Sequence, residues 1–248
     1  MNLRLQGIRS SNIFGLKFYS DSYDEYLKLS LKSEKGYSCF CNSHMLYEYM
    51  KREGFNDVLN GADFILPDGM PLLYSIKLFN NKKAERIAGN DVVFSLVNLA
   101  SSKSLRMFWI GGDDEVLSKI SQKLTTQGVI HQVYSPPFLP IEEFNFDEQE
   151  QIIKQFQPDI ILVGLGCPKQ EIWMHTMNRR ISAHMYGVGG AFLLYAGVDR
   201  RAPKWMRDIA LEWVYRFALE PRRLFKRYFV TNTYFCYLFV REFLKRRI

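Results

Sequence analysis

The chain has 248 residues, of which 47% are hydrophobic, 15% aromatic and 24% charged. This length supports one sizeable core, or one core with an appendage, and the composition is ordinary for a globular protein. The formal net charge of +7 is unevenly distributed: residues 200–248 carry 13 Lys and Arg against 4 Asp and Glu, whereas the rest carries 20 against 22. A near-neutral body with a basic, aromatic tail predicts an anionic partner for the tail.

The N-terminus has no uninterrupted apolar stretch of signal-peptide length, so we expect a cytosolic start. The four cysteines lack zinc-type spacing, and the close pair Cys39 and Cys41 is expected to point to opposite faces of a strand. Reduced thiols are therefore predicted. Glu171 and His175 lie four apart on a predicted helix, but no third ligand is in view, and we predict no metal site.

In chain order, short β-type runs alternate with stretches of helical period. The predicted strands are Ser38–Cys41, Phe64–Leu66, Met107–Ile110, His131–Tyr134, Ile160–Val163 and Met185–Val188. Amphipathic helices are predicted between them, for example over Glu115–Leu124 and Asp147–Phe156. This alternation predicts an α/β fold with a mainly parallel sheet and helices on both faces, in which ligands bind at the carboxyl ends of the strands. Charge and aromatic content change near residues 197–203, which predicts a core over 1–199 and a helical appendage over 200–248.

Glycine-rich loops follow several of these strands. Gly111 lies in Ile110-Gly111-Gly112-Asp113-Asp114, a loop that can be a helix cap or can admit a nucleotide close to the backbone. Gly166 precedes Pro168-Lys169-Gln170-Glu171, where Lys169 can meet a phosphate and Gln170 can read a planar base edge. The alternative for this second loop is a solvated helix start.

Asp68 is the strongest candidate for chemistry. It follows the apolar run Phe64–Leu66 and Pro67 and precedes Gly69, which places it in a constrained turn at the carboxyl edge of the sheet. A carboxylate in this position can take a proton from an attacking hydroxyl, which typically contributes ~10²–10⁴ in rate. An ordinary turn or N-cap aspartate is the alternative.

The tail predicts two helices broken at Glu220-Pro221. Trp205, Ile209, Trp213 and Phe217 recur every four positions, which indicates one apolar face. The second helix, over Arg222 to Arg247, contains a 13-residue uncharged stretch, Tyr228–Val240, short of the ~20 residues that span a bilayer. Basic residues flank this stretch, so residues 205–248 are expected to lie on an anionic membrane surface. A core helix with a solvated cationic end and a hairpin partly entering the bilayer are the alternatives.

A set of motifs occurs in a recognisable order along the chain. In order, they are Asn42, Pro67-Asp68-Gly69, Glu85-Arg86-Ile87-Ala88-Gly89-Asn90-Asp91, Gly166-x-Pro168-Lys169-Gln170-Glu171, Gly187-Val188-Gly189-Gly190-Ala191-Phe192, Arg201-Ala202-Pro203-x-Trp205, Leu211-Glu212-Trp213-x-Tyr215-Arg216 and Glu220-Pro221-x-Arg223. This series closely resembles the WecG/TagA/CpsF family of bacterial glycosyltransferases, from about Tyr37 to Arg227.

The resemblance implies a Rossmann-like core whose C-terminal appendage reaches the membrane and helps to close the active site. It implies inverting transfer of a sugar from a UDP-sugar to a saccharide on undecaprenyl diphosphate, at the cytoplasmic face of the plasma membrane, in the synthesis of envelope polysaccharide, teichoic acid or exopolysaccharide. N-acetylmannosamine, its uronic acid and a hexose stay open as the sugar, as does a homo-oligomeric state.

The resemblance also implies roles for individual residues. Asp68 becomes the catalytic base and Arg86 a stabiliser of the diphosphate or acceptor. The remaining residues that we assign to substrate binding are Asn42, Gly69, Asp91, Gly111, Gly166, Lys169, Gln170, Gly189, Gly190, Arg216, Arg223 and Arg227. Two positions depart from the family pattern: Phe40 replaces a Thr and Leu193 replaces an Asp that many members carry, both near the expected pocket.

The residue inventory predicts transfer without a metal or another cofactor. Departure of UDP leaves a diphosphate whose negative charge must be stabilised. Many glycosyltransferases use a metal held by Asp-x-Asp, and this motif does not occur in the sequence. Guanidinium groups are the substitute we expect, because their fork matches phosphate oxygens.

Two other classes of function share some of these features. A nucleic-acid-binding protein has a basic, aromatic surface, but here the basic charge accompanies an apolar stretch and the core is not basic, so no nucleic-acid partner is predicted. A noncatalytic scaffold at a membrane surface, binding nucleotide or anionic lipid, requires neither Asp68 nor arginines at the sheet edge.

Overall fold

The computed structural model describes residues 9–80, 84–203, 205–206 and 211–246, and within the last range the side chain of Arg223 is outside the description. The strands are β1 (Ser10–Ile13), β2 (Leu16–Tyr19), β3 (Gly36–Cys41), β4 (Phe64–Pro67), β5 (Arg106–Ile110), β6 (Ile130–Tyr134), β7 (Ile160–Val163) and β8 (His184–Gly187). The helices are α1 (Tyr23–Leu31), α2 (Ser43–Lys51), α3 (Phe55–Asn60), α4 (Met70–Phe79), α5 (Gly89–Lys103), α6 (Asp114–Thr126), α7 (Phe146–Phe156), α8 (Lys169–Met177), α9 (Ala191–Ala196), α10 (Glu212–Leu219) and α11 (Pro221–Lys245), with a 3-10 helix at Ile141–Glu143.

Six strands form one parallel sheet in the order β4-β3-β8-β7-β5-β6. All six strands predicted from the sequence belong to it. Their carboxyl ends share one edge, so the loops after β3, β4, β7 and β8 are brought together there although they are far apart in sequence. The predicted α/β fold is confirmed.

Helices cover both faces of the sheet. Helices α2, α3, α4, α7 and α8 pack in one core cluster, and α1, α5, α6 and α9 pack in the other. Along β3, Tyr37, Cys39 and Cys41 enter the first cluster, whereas Phe40 enters the second. The expectation that Cys39 and Cys41 point to opposite faces was wrong, since residues two apart on a strand share a face.

The sequence reading did not find the antiparallel hairpin β1-β2, which pairs Ile13 with Leu16. Its two-residue turn consists of Phe14 and Gly15, both with positive φ, at 54° and 80°. Turns of this kind usually carry Asn or Asp before the Gly, and a Phe in that place hides the signal. The Phe14 ring is buried and packs edge-on against Phe235 of α11, at 5.8 Å between centroids.

The tail contains two helices separated at Glu220, where the sequence predicted a break. The first begins only at Glu212, since Leu211 is not helical, so it carries Trp213 and Phe217 but not Trp205 of the predicted apolar face. Helix α11 lies along the core: Leu238 is fully buried, and Phe235 and Thr231 are nearly so. Its opposite side leaves large apolar side chains exposed, including Phe225, Phe229 and Tyr237. Among the described residues, no helix combines the length and the apolarity needed to cross a membrane. Ile209 of the predicted apolar face lies outside the described residues.

Candidate active site

Asp68 lies directly after β4 at the carboxyl edge of the sheet. Its backbone N–H and that of Gly69 both donate to the Cys41 carbonyl, at 3.0 and 3.4 Å, which fixes the turn against the end of β3. The Asp68 side chain keeps 27% of its surface exposed. Burial raises the pKa of this carboxyl and the adjacent Arg86 opposes the rise. The result is a carboxylate that is more basic than an ordinary aspartate, as general bases require.

Arg86 reaches Asp68 from the segment before α5. Its Nε donates to the Asp68 main-chain carbonyl oxygen at 2.6 Å, and its Nη2 donates to Asp68 Oδ1 at 3.3 Å. The same Nη2 donates to Oε2 of Glu212 on α10 at 2.9 Å. On the other side, Glu212 Oε1 accepts from Arg216 Nη2 at 3.3 Å. Core and appendage thus meet in a chain of alternating charges that begins at the proposed base.

A cavity of about 340 Å³ lies between the core and the appendage. The core contributes Gly190, Leu194, Val198 and Asp199 to its wall, and the appendage contributes Arg200, Arg201, Ala202, Glu212, Arg216, Leu219, Glu220, Leu224, Arg227 and Tyr228. Four arginines against three acids give the wall a cationic balance, which suits an anionic ligand. Glu212 lines this wall and also pairs with Arg86. The Arg86 guanidinium therefore lies between Asp68 and the cavity wall.

The appendage arginines occupy different parts of this site. Arg216 Nη1 lies beside Gly190, where a Cβ added to the glycine would be in van der Waals contact with it at 4.0 Å. Arg227 extends the cavity wall towards the start of α2, where burial of His44 and, second to it, the charge of Arg227 lower the pKa of His44. The side chain of Arg223, which the sequence assigns to substrate binding, is outside the description.

Gln170 and its neighbours form the floor of the carboxyl edge. The Gln170 amide donates to the Gly187 carbonyl at 2.9 Å and to the Glu171 carboxylate at 2.7 Å, and its oxygen accepts from the Gly166 N–H at 3.2 Å. Gln170 therefore ties the loop after β7 to the end of β8. Gly189, at φ 50°, lies against it, since an added Cβ would approach the Gln170 oxygen to 3.3 Å.

Other predicted site residues have partners within the protein. The Asn42 side-chain oxygen caps α2, accepting from His44 N at 3.0 Å and Met45 N at 3.1 Å. Asp91 forms an ion pair with Arg201 of the appendage. Lys169 donates to the Leu139 carbonyl at 2.5 Å. Gly111, at φ 110°, leaves no room for a side chain, because an added Cβ would lie 2.6 Å from the Gly164 backbone.

The two positions that depart from the family pattern lie in or against the core. Phe40 is 4% exposed and packs edge-on against Tyr26, and Leu193 packs against the same cluster. Among the described ranges, no group of three His, Cys, Asp or Glu side chains is arranged to hold a metal ion. Glu171 is fully buried beside Gln170, whereas His175 bonds to the Tyr37 hydroxyl at 3.0 Å.

The sequence profile of the glycosyl transferase WecG/TagA/CpsF family matches residues 11–248. The chain belongs to this family. It is 32% identical over 188 residues to the N-acetylglucosaminyldiphosphoundecaprenol N-acetyl-beta-D-mannosaminyltransferase of Bacillus subtilis (strain 168). These residues cover 73% of this chain and 71% of that protein.

Two further proteins of that name are similarly related. The one from Bacillus spizizenii is 31% identical over 73% of this chain and 70% of its own length. The one from Staphylococcus aureus (strain NCTC 8325 / PS 47) is 29% identical over 69% of this chain and 67% of its own length. Family membership supports a glycosyltransferase and agrees with the motif series that contains Asp68, Arg86 and Gln170.

Sequence reasoning did not assign a role to Glu212, although it lies in the motif Leu211-Glu212-Trp213. The available signal was an acidic residue four positions before Arg216, one of four in an appendage with 13 Lys and Arg. The spacing predicts the contact with Arg216 on one helix face. It carries no information on the contact with Arg86, which is 126 positions away.

Proposed function

We propose that this protein is an inverting, metal-independent glycosyltransferase that moves a sugar from a UDP-sugar to a saccharide carried on undecaprenyl diphosphate. The observation that carries the proposal is Asp68, a partly exposed carboxylate of raised basicity, set beside guanidinium groups at the carboxyl edge of the sheet. The names of the three relatives favour N-acetylmannosamine as the sugar and N-acetylglucosaminyl diphosphoundecaprenol as the acceptor. The N-acetylmannosamine uronic acid and a hexose are the other donors to test.

The proposed reaction is a single displacement. Asp68 accepts the proton of the acceptor hydroxyl as its oxygen forms a bond to the anomeric carbon. The bond from that carbon to the diphosphate oxygen breaks, and its electron pair leaves with UDP from the opposite face of the sugar. Arg86, Arg216 and Arg227, with Arg223, are proposed to neutralise the charge that develops on the diphosphate, the task that a metal performs in other glycosyltransferases.

The exposed apolar side of the appendage supports contact with the membrane that carries the acceptor. Phe225 and Phe229 stack at 6.2 Å between centroids and leave 61% and 66% of their surface exposed. With Trp213 and Phe217 they line an apolar groove of about 250 Å³. Aromatic side chains flanked by Lys and Arg suit the interface of an anionic leaflet, and we place the enzyme at its cytoplasmic face.

The test is turnover by the purified full chain with UDP-N-acetylmannosamine and a short-chain N-acetylglucosaminyl diphospholipid, in excess chelator. We expect the parent to release UDP and Asp68→Asn to be slower by about 10²–10⁴-fold, because an amide cannot take up the proton. Asp114→Asn is the matched control, since Asp114 begins α6 four residues after β5, at the same edge of the sheet, but is exposed. Full turnover by Asp68→Asn would refute the catalytic assignment, and loss of parental activity in chelator would refute metal independence.

A further inference from the structure

Glu212 is the point at which the appendage contacts the charged groups around the proposed base. Its carboxylate is bound on both sides, by Arg86 at 2.9 Å and by Arg216 at 3.3 Å, and its side chain is only 16% exposed. One of these guanidinium groups belongs to the core and the other to α10. A partly buried carboxylate between two guanidinium groups is a strong electrostatic contact.

Arg86 is fixed independently of Glu212. Its Nε is held by the Asp68 main-chain carbonyl at 2.6 Å, so the guanidinium stays beside Asp68 when other partners change. The variable part is Nη2, which two carboxylates share: Glu212 at 2.9 Å and Asp68 at 3.3 Å. The shorter contact goes to Glu212, so this carboxylate of α10 offsets part of the positive charge that Arg86 presents to Asp68.

We propose that Glu212 is a positioning residue that divides Arg86 between two carboxylates, so that Asp68 is fully effective as a base only while α10 is docked on the core. The proposal rests on the function proposed above, in which Asp68 accepts the proton. It gives the appendage a part in the chemistry besides binding to phosphate or membrane, because docking brings Glu212 to Arg86.

The charges around Asp68 set the direction of the effect. Burial and Glu212 raise the pKa of Asp68, whereas Arg86 and Arg216 lower it. The Cys41 thiol of β3 also faces Asp68 and is neutral, because burial raises its own pKa. Without the Glu212 charge, only burial opposes the two guanidinium groups, so the pKa of Asp68 falls and its carboxylate becomes a weaker base.

The experiment compares the pH dependence of kcat/KM for the parent and for Glu212→Gln. Asp68 must be ionised to accept a proton, so the rate falls on the acidic side as the carboxyl gains one. We expect Glu212→Gln to shift this acidic limb to lower pH and to lower the plateau by roughly 3- to 10-fold, since a weaker base removes a proton less well. Arg86→Gln removes a positive charge that lowers the pKa of Asp68, so the acidic limb of its residual activity should shift to higher pH.

Glu242→Gln is the matched control, since Glu242 is a partly buried carboxylate of the appendage that pairs with Arg246 instead. Its acidic limb should coincide with that of the parent. If Glu212→Gln lowers turnover but leaves the limb in place, Glu212 only docks the appendage and the inference is wrong. Failure of the proposed function itself has a different signature, full turnover by Asp68→Asn.

Discussion

Glu171 shows how burial alone changes the protonation of a single side chain. The residue is fully buried in the first turn of α8, and this raises its pKa from 4.5 to about 7, against a lowering by the hydrogen bond from Gln170. The folded protein therefore holds a proton that the unfolded chain releases between these two values. Stability contributed by that proton is complete below about pH 4.5 and is lost as the pH rises to about 7.

Glu171→Gln should remove this pH dependence, because an amide has no proton to lose. A shift of this size corresponds to ~3 kcal/mol. We expect the melting temperature of the variant, relative to the parent, to rise as the pH is raised from 5.5 to 8. Glu115→Gln is the control, since the Glu115 side chain is 79% exposed and pairs with Lys119 on the surface. A constant difference between variant and parent over this range would contradict the assignment.

The buried Glu171 side chain is hydrogen-bonded to Gln170 at the floor of the candidate site. Gln170 ties the loop after β7 to β8. Its side-chain amide nitrogen donates two hydrogen bonds, one to the Gly187 carbonyl and one to the Glu171 carboxyl group. The buried carboxyl group therefore supports the floor of the candidate site from below.

At the scale of elements, helix α11 is held at its end by Arg246. The guanidinium donates to the Phe79 carbonyl at 3.0 Å and the Asn80 side chain at 2.7 Å, at the end of α4, and to the Asn12 carbonyl of β1 at 2.9 Å. A cation at the last carbonyls of a helix is favourable, since these groups lack partners within the helix. Arg246 thereby joins the last helix to α4 and to the hairpin.

Arg246→Gln should loosen the last turns of α11 without unfolding the core. Loss of these bonds is worth roughly 1–2 kcal/mol, or about 5- to 30-fold in the local opening equilibrium. Hydrogen exchange of the amides near residue 240 should accelerate accordingly. The control is Arg241→Gln, an exposed basic residue of the same helix. Equal exchange rates in both variants would show that Arg246 does not hold the helix.

At the scale of the whole molecule, the appendage combines a face buried on the core with an exposed apolar face. Leu238 and Phe235 complete the core beside Phe14, so removal of residues 200–248 would uncover core surface as well as remove the proposed membrane contact. Deletion therefore cannot separate folding from the proposed lipid binding. Substitution of exposed side chains can.

Phe225→Ser with Phe229→Ser should weaken sedimentation with vesicles that contain anionic lipid. Each fully inserted Phe contributes about 1.5–3 kcal/mol, so we expect at least a roughly tenfold loss of binding. The matched control is Tyr74→Ser with Leu78→Ser, a pair of exposed apolar residues at the same spacing on α4. Unchanged sedimentation of the Phe225/Phe229 variant would exclude this face as the membrane contact.

The sequence determined the parallel sheet, because apolar strands and amphipathic helices alternate with periods that depend on local chain geometry alone. It also indicated Asp68, since a carboxylate after a strand of such a sheet lies at its carboxyl edge. The hairpin was hidden, because its turn begins with Phe14 and depends on packing against α11.

Only the tertiary structure decided which charges meet. Arg86, Glu212 and Arg216 come from separate parts of the chain, and no local pattern reports that Glu212 lies between the two guanidinium groups. In the same way, only packing shows that Phe40 faces the core and that Gln170 joins the loop after β7 to the end of β8. Periodicity is a property of neighbours in sequence, whereas hydrogen bonds and ion pairs depend on positions in space that the whole fold sets.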